Sequence, residues 1–217
     1  MIRHTSGQGG SAPPATAPFV AVVDDDPAVL EALDSLLRSI SLATRLFASP
    51  AELLAAQLPD APGCIVLDVR LPGVSGLDFQ GQLAERGIGR PIVFMTGHGD
   101  IPMSVRAMKA GAVDFLSKPF RDQDMLDAIT AAIERDRQQR AAAASRSDLT
   151  AEFETLTARE REVMTHVVAG LMNKQVAGLL GLSEITVKIH RGNVMRKMGV
   201  RTLADLVRKA EALGIKP

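Results

Sequence analysis

The stretch "AVVDDDPAVL", residues 21–30, runs from an apolar segment straight into Asp24, Asp25 and Asp26. Like charges this close repel, and each disfavours ionisation of the others. Asp26 has an ordinary explanation. It precedes Pro27, and Asp-Pro starts helices well, with the carboxylate as N-cap and the proline at N1. Asp24 and Asp25 have no such explanation. They stand at the end of a strand-like run and need something that makes crowded carboxylates useful.

Outward from this stretch, short apolar runs alternate with amphipathic ones. "FVAVVD" (19–24) reads as a buried strand, and "PAVLEALDSLLRSI" (27–40) carries Val29, Leu30, Leu33, Leu36, Leu37 and Ile40 at helical spacing. "ATRLF" (43–47) is a second strand. "SPAELLAAQL" (49–58) is a short helix with a capping box, Ser49 at N-cap and Glu52 at N3, and Pro50 at N1. The alternation continues with strand "GCIVLDV" (63–69) and helix "SGLDFQGQLAERG" (75–87), then strand "PIVFMT" (91–96) and helix "DIPMSVRAMKAG" (100–111). Strand "VDFLSK" (113–118) and a helix from about Asp122 to about Gln139 complete it. Five such units predict an α/β fold, a flavodoxin-like parallel sheet covered by helices on both faces, with ligands at the carboxyl ends of the strands.

The last helix has no clear stop. "AITAAIERDRQQRAAAASRSD" (128–148) lacks Gly and Pro and is rich in strong helix formers. It predicts a long helical linker that frays near Ser145 to Asp148. Beyond it lie four helix-like segments and no strand signal. The expected organisation is a disordered Gly/Ser/Pro/Ala-rich tail (1–18), an α/β domain (19–140), a helical linker (141–148) and an all-α domain (149–217). Charge divides the same way. Residues 1–150 hold 14 Lys+Arg against 18 Asp+Glu, and residues 151–217 hold 11 against 7, so two modules with different partners are expected. No apolar run approaches the ~18 residues of a membrane span, and the first residues lack an apolar signal core. The single cysteine, Cys64, excludes an intrachain disulfide and suits a reducing cytoplasm.

The strand ends can now be collected. The first ends at Asp24 and Asp25, the third at Asp68, the fourth at Thr96 and the fifth at Lys118. Three carboxylates, a hydroxyl and an ammonium converge on one edge of the sheet. Mg²⁺, or Mn²⁺ in its place, suits carboxylates plus phosphate oxygens and offsets their repulsion. A carboxylate can also act as a nucleophile toward phosphorus. His98 has no second His or Cys at metal spacing and is expected to be an exposed non-ligand. Lys118-Pro119 is a candidate cis peptide.

These motifs carry a resemblance. The Asp pair, "LDVRLPG", "MTGHGD" and "DFLSKPF", in that order over about Phe19 to Arg140, resemble the receiver domain of two-component response regulators, within it the FixJ type. The resemblance implies that Asp68 accepts a phosphoryl group from a sensor histidine kinase. It implies that Asp24, Asp25, Asp68 and the backbone carbonyl of Arg70 hold Mg²⁺ and that Lys118 contacts the phosphoryl oxygens. It also implies a switch, with Thr96 swinging in to bond the new phosphate and Phe115 turning inward to fill the vacated space.

In the basic module, Thr157 and Glu160 form a capping box, "NKQVAGLL" closes at Gly181, Ser183 caps a longer basic helix and Thr202 caps the last one. Short helix, tight turn and longer helix spell helix-turn-helix. Residues 184–201 carry five Lys+Arg against one acid. Val187, Val194 and Met198 fall on one stripe and predict core, while Lys188, Arg191 and Arg196 flank the other side as a footprint for phosphates and base edges. "LTAREREVM", "AGLMNKQVA" and "LSEITVKIHRGNVMRKMGV" resemble the LuxR-type helix-turn-helix of FixJ- and NarL-type regulators. That implies a scaffold helix at 173–180 and a recognition helix at 183–198 in the major groove of double-stranded DNA. The implied DNA contacts are Asn173, Lys174, Thr186, Lys188, Ile189, His190, Arg191, Gly192, Asn193 and Arg196. Two positions depart from expectation: Ile185 stands where many relatives carry a basic or polar residue, and Gly192 sits mid-helix, where it costs ~1 kcal/mol relative to alanine.

Together the modules imply a cytoplasmic transcription regulator, not an enzyme, that dimerises on phosphorylation and works with the transcription machinery. Two rivals differ in class. "VVDDDP" weakly resembles an aspartyl-phosphate phosphatase strand, with Asp24 and Asp26 in the two acidic places, but Ala28 replaces the threonine expected there. A DNA-binding protein whose receiver works without phosphate is the other.

Overall fold

The structure is a computed structural model that describes residues 17–97 and 101–215. The expectations for His98 and for residues 1–16 of the tail lie outside the described residues. The chain divides into two compact units, Met1–Arg140 and Ala141–Pro217.

In the N-terminal unit, β1 (Phe19–Val23), α1 (Pro27–Ser39), β2 (Ala43–Phe47), α2 (Pro50–Ala55) and β3 (Gly63–Asp68) follow in order. A hairpin of two-residue strands, β4 (Arg70–Leu71) and β5 (Val74–Ser75), which the sequence pattern does not reveal, then leads into α3 (Gly76–Glu85). Next come β6 (Ile92–Thr96), α4 (Ile101–Lys109), β7 (Asp114–Ser117) and α5 (Asp122–Glu154). The five long strands form a parallel sheet in the order β2-β1-β3-β6-β7, as the α/β reading predicts. The order reverses between β1 and β3, and the crevice at their carboxyl ends is where such sheets bind ligands.

Strand residues alternate between two cores. Ala21, Val23, Ile65, Leu67 and Phe94 pack with Leu53, Phe79 and Leu83 on one face. Val20, Val22, Val66, Val93 and Met95 pack with Leu33, Leu37, Met125 and Ile129 on the other. Both faces are covered, which is why the strands read as unbroken apolar runs rather than alternating ones. The predicted caps form. Asp26 accepts from the Ala28 N–H at 2.9 Å, and Ser49 accepts from the Glu52 N–H at 3.3 Å. The Lys118–Pro119 peptide is cis.

At the amino ends of the strands lies a buried ion pair. Arg90 Nη1 meets Asp136 Oδ2 at 2.6 Å, and the same oxygen accepts from the Gly63 N–H at 2.9 Å. Arg90 also donates to the carbonyls of Ala61 and Pro59 and stacks over the Phe19 ring at 5.2 Å.

The expected fraying near Ser145 to Asp148 does not occur; α5 is one helix to Glu154. Residues 141–148 are all exposed, so burial does not hold that stretch. Helix propensity carries it, and the turn beyond is pinned in the C-terminal unit. There Leu149 and Phe153 pack on the core, Arg161 stacks on the Phe153 ring at 4.9 Å, and Glu152 pairs with Lys209 at 2.5 Å. The rest of this unit is α6 (Ala158–Val168), α7 (Asn173–Leu180), α8 (Glu184–Lys197) and α9 (Leu203–Ala212) around Val163, Met164, Val187, Val194, Met198 and Leu206.

Candidate functional site

Asp24 is the residue after β1, Asp68 ends β3, Thr96 ends β6 and Lys118 follows β7. Because the strands are parallel and adjacent, all four meet at one edge. Carboxylate oxygens of Asp24, Asp25 and Asp68 lie within 4.8 Å of one another. Asp24 and Asp68 are buried, at 1% and 7% exposure, while Asp25 is exposed. Lys118 Nζ donates to Asp24 Oδ2 at 2.6 Å and reaches Asp68 Oδ2 at 3.3 Å. The Lys118 N–H also donates to the Thr96 carbonyl at 2.7 Å, which ties the two strand ends together.

Among the described residues, charge at this edge is unbalanced, three carboxylates to one ammonium. Burial raises the pKa of Asp24 above the usual carboxylate value, and the Asp68 charge adds to that, against the Lys118 and Asp26 hydrogen bonds that hold it down. Burial works against the charge on Lys118, but its bonds and charges with Asp24 and Asp68 outweigh burial and raise its pKa. Among the described residues the donor set is hard oxygen, without nitrogen or sulfur, and carries excess negative charge. That is the chemistry of a Mg²⁺ site and fits such an ion.

The remaining predicted residues sit as follows. Thr96 is fully buried at the end of β6. Phe115 is half-buried against the Phe94 side of the core, their ring centroids 6.3 Å apart. Arg70 is exposed in the β4–β5 hairpin, and its N–H donates to Asp68 Oδ1 at 3.3 Å. One contributor escaped sequence reasoning. A Cβ on Gly76 would lie 2.4 Å from the Asp68 carbonyl, so only glycine lets α3 begin against the strand end that carries Asp68.

In the C-terminal unit, Ser183 caps α8 through the Thr186 N–H, and Gly181 turns the chain at φ 65°. Val187, Val194 and Met198 are buried as predicted. The opposite face of α8 presents Ile185, Lys188, Ile189, Gly192 and Arg196, all exposed. Lys174 is exposed on α7, while Asn173, Thr186, His190 and Asn193 are half-buried. Arg191 also lies on a flank, and its Nη1 contacts Asn173 Oδ1 at 3.3 Å. A Cβ on Gly192 would meet nothing within 4 Å, so no contact within the chain requires glycine there. The basic count needs one correction. Lys197 bonds Glu160 at 2.7 Å and the Thr155 carbonyl at 2.9 Å, so its charge serves the fold rather than the outer face.

Comparison with known proteins gives two family matches: the response regulator receiver domain over residues 20–130, and the bacterial regulatory proteins of the luxR family over residues 154–210. Nodulation protein W of Bradyrhizobium diazoefficiens is 58% identical over 209 residues, 96% of this chain and 92% of that one. Transcriptional regulatory protein FixJ of Azorhizobium caulinodans is 45% identical over 198 residues, 91% and 94% of the two chains. Among solved structures, response regulator StyR is 48% identical, covers 90% of this chain and 99% of its own, and has a TM-score of 0.83. Full-length FixJ from B. japonicum is 37% identical over 93% and 100% of the chains, with a TM-score of 0.54.

Proposed function

The chain belongs to the response regulators, joining a receiver domain to a LuxR-type DNA-binding domain, and from that premise we propose that phosphorylation of Asp68 controls its DNA binding. A single observation carries the proposal. Asp24, Asp25 and Asp68 crowd together with, among the described residues, Lys118 alone to balance them, in a chain that also carries an exposed basic helix.

The receiver is taken as residues 19–140, the linker as 141–148 and the DNA-binding domain as 149–217. A sensor histidine kinase supplies the phosphoryl group. An Asp68 carboxylate oxygen forms the bond to phosphorus as the bond from phosphorus to the kinase histidine breaks, and the leaving imidazole takes up a proton. Lys118 neutralises phosphoryl oxygens and, through its bond to Asp24, is already aimed into the site. Asp24, Asp25, Asp68 and the Arg70 carbonyl would hold Mg²⁺ or Mn²⁺, which supplies further neutralisation of phosphoryl charge. The chain catalyses no turnover of a separate substrate.

Thr96 and Phe115 form the switch. The Thr96 hydroxyl bonds the phosphoryl group, and the Phe115 ring moves deeper into the space beside it. The altered face of α4 and β7 then pairs with a second copy. A dimer sets two α8 helices on two half-sites, and affinity rises through paired contacts. Asn173, Lys174, Thr186, Lys188, Ile189, His190, Arg191, Gly192, Asn193 and Arg196 make the DNA contacts, and the bound dimer acts on the transcription machinery in the cytoplasm.

The test is acetyl phosphate with Mg²⁺, applied to wild type and Asp68→Asn, read by intact mass, sedimentation and DNA binding. The expected result is one added phosphoryl group, a dimer and tighter DNA binding, all absent from the variant. A folded wild type that gains no phosphoryl group from acetyl phosphate or from a phosphorylated histidine kinase would sink the proposal.

A further inference from the structure

The outward face of α8 has an apolar centre. Ile185 is 74% exposed and Ile189 59% exposed. They are i,i+4 neighbours, about 40° apart around the helix axis and opposite the buried line of Val187 and Val194. Exposed isoleucine pairs are costly in water and contribute nothing to a helix surface that packs on nothing. Nor does the fold use them, since neither belongs to the C-terminal core. Gly192 extends the stripe by a turn with open space around it. Cations accompany the stripe. Lys188 is exposed on one side of it, Arg196 is exposed on the same line two turns beyond Ile189, and after Glu184 the helix carries no acid.

An apolar stripe with a cation at its side and another along its line fits a polyanion with apolar groups between its charged rails. The major groove of DNA is such a surface. Its one apolar feature is the thymine 5-methyl group, and the first residues of a recognition helix reach base edges. Ile185 is the second residue of α8, one turn before Ile189. An isoleucine there cannot bond a phosphate and has only an apolar contact to offer.

We infer that Ile185 is a base-reading residue that packs against a thymine methyl group and selects an A·T pair near one end of each half-site. The inference rests on the DNA-binding reading above and adds to it a specificity that Ile189 alone would not supply. The two isoleucines are a turn apart along the groove, so each reads a different base pair.

The test uses the full-length chain, phosphorylated with acetyl phosphate. A site is first selected from random duplexes. Each thymine of a half-site is then replaced singly by deoxyuridine, which lacks only the methyl group, and affinities are compared for wild type, Ile185→Ala and Ile189→Ala. Ile185 is exposed, so its truncation leaves the fold intact. One thymine should lose about fourfold in affinity on methyl removal with wild type, one methyl's worth of burial. That loss should vanish in Ile185→Ala and persist in Ile189→Ala. A selected site at which no thymine shows this coupling overturns the inference and leaves DNA binding standing, whether Ile185→Ala weakens binding uniformly or leaves it unchanged because a protein covers this face. Failure to select any sequence removes the DNA-binding reading, and the inference with it.

Discussion

The sheet buries a carboxylate and a cation together at both of its ends, and the two arrangements differ in their arithmetic. At the amino ends, Asp136 and Arg90 are one to one. Asp136 Oδ2 accepts from Arg90 and Gly63, and the guanidinium spends further hydrogens on two carbonyls. At the carboxyl ends, three carboxylates share Lys118. Burial there raises the pKa of Asp24, a sign of a group held in a place it would not choose. The first arrangement is complete and positions α5 on the sheet. The second carries excess negative charge among the described residues, which suits a divalent cation. A buried charge that is fully answered speaks of structure, and one left short of partners speaks of chemistry.

The sharpest way to break this comparison is to remove one charge from each end. Asp68→Asn should abolish phosphoryl acceptance altogether, read by intact mass, while changing stability by no more than about 1 kcal/mol, since it removes an acid from a crowd of acids. Arg90→Ala should do the reverse. It leaves Asp136 buried and unpaired, at a cost of ~3–5 kcal/mol in urea unfolding, with phosphoryl acceptance retained in the folded fraction. The chain has no Trp or Tyr, so unfolding is followed by circular dichroism. A large loss of stability in Asp68→Asn, or a negligible one in Arg90→Ala, would erase the distinction.

Divalent ions sharpen it further. Mg²⁺ at a hundred times its dissociation constant should stabilise wild type by ~2.7 kcal/mol. Asp24→Asn should lose most of that gain, and Asp136→Asn should keep it, because only the carboxyl-end carboxylates are short of cations. Thermal unfolding with and without Mg²⁺ measures both.

These two ends were not equally legible in the sequence. Asp24, Asp25, Asp68, Thr96 and Lys118 each terminate a strand-like run, and parallel topology then places them together without any knowledge of packing. Arg90 and Asp136 are 46 residues apart, and each alone looks like a solvated charge. Only one trace was available. Asp136 falls three and four residues after Ile133 and Ala132, on the buried stripe of α5, where a lone acid demands a partner. Gly76 left no trace, because the backbone it must avoid is set by the tertiary path of β3. The unbroken α5 was hidden for a related reason. Propensity covers the alanine run, but the anchors that hold the following turn, Leu149, Phe153 and Lys209, act across the C-terminal unit. On α8, charge counting overstated the outer face because Lys197 looks like its neighbours in sequence and points to Glu160 in space.

That pair offers the last and smallest test, since it repeats the one-to-one arrangement in the other unit. Burial opposes ionisation of Glu160, but bonds from Lys197 and from the Thr157 N–H and hydroxyl hold its carboxyl down at about 2. An acid whose pKa is depressed in the folded chain stabilises it above its unfolded value of 4.5 and ceases to do so as pH falls through about 2. Glu160→Gln keeps an oxygen for the capping bonds and removes the charge. At neutral pH it should therefore be less stable than wild type by on the order of 2 kcal/mol. The gap should narrow as pH falls below 4.5 and close as pH falls through about 2, where Glu160 of wild type takes up its proton. Hydrogen exchange at α6 and α8 reads it within the C-terminal unit. A gap that stayed constant with pH would mean that shape, not charge, is what Glu160 contributes, and the one-to-one ion pair would no longer be the common structural device of both units.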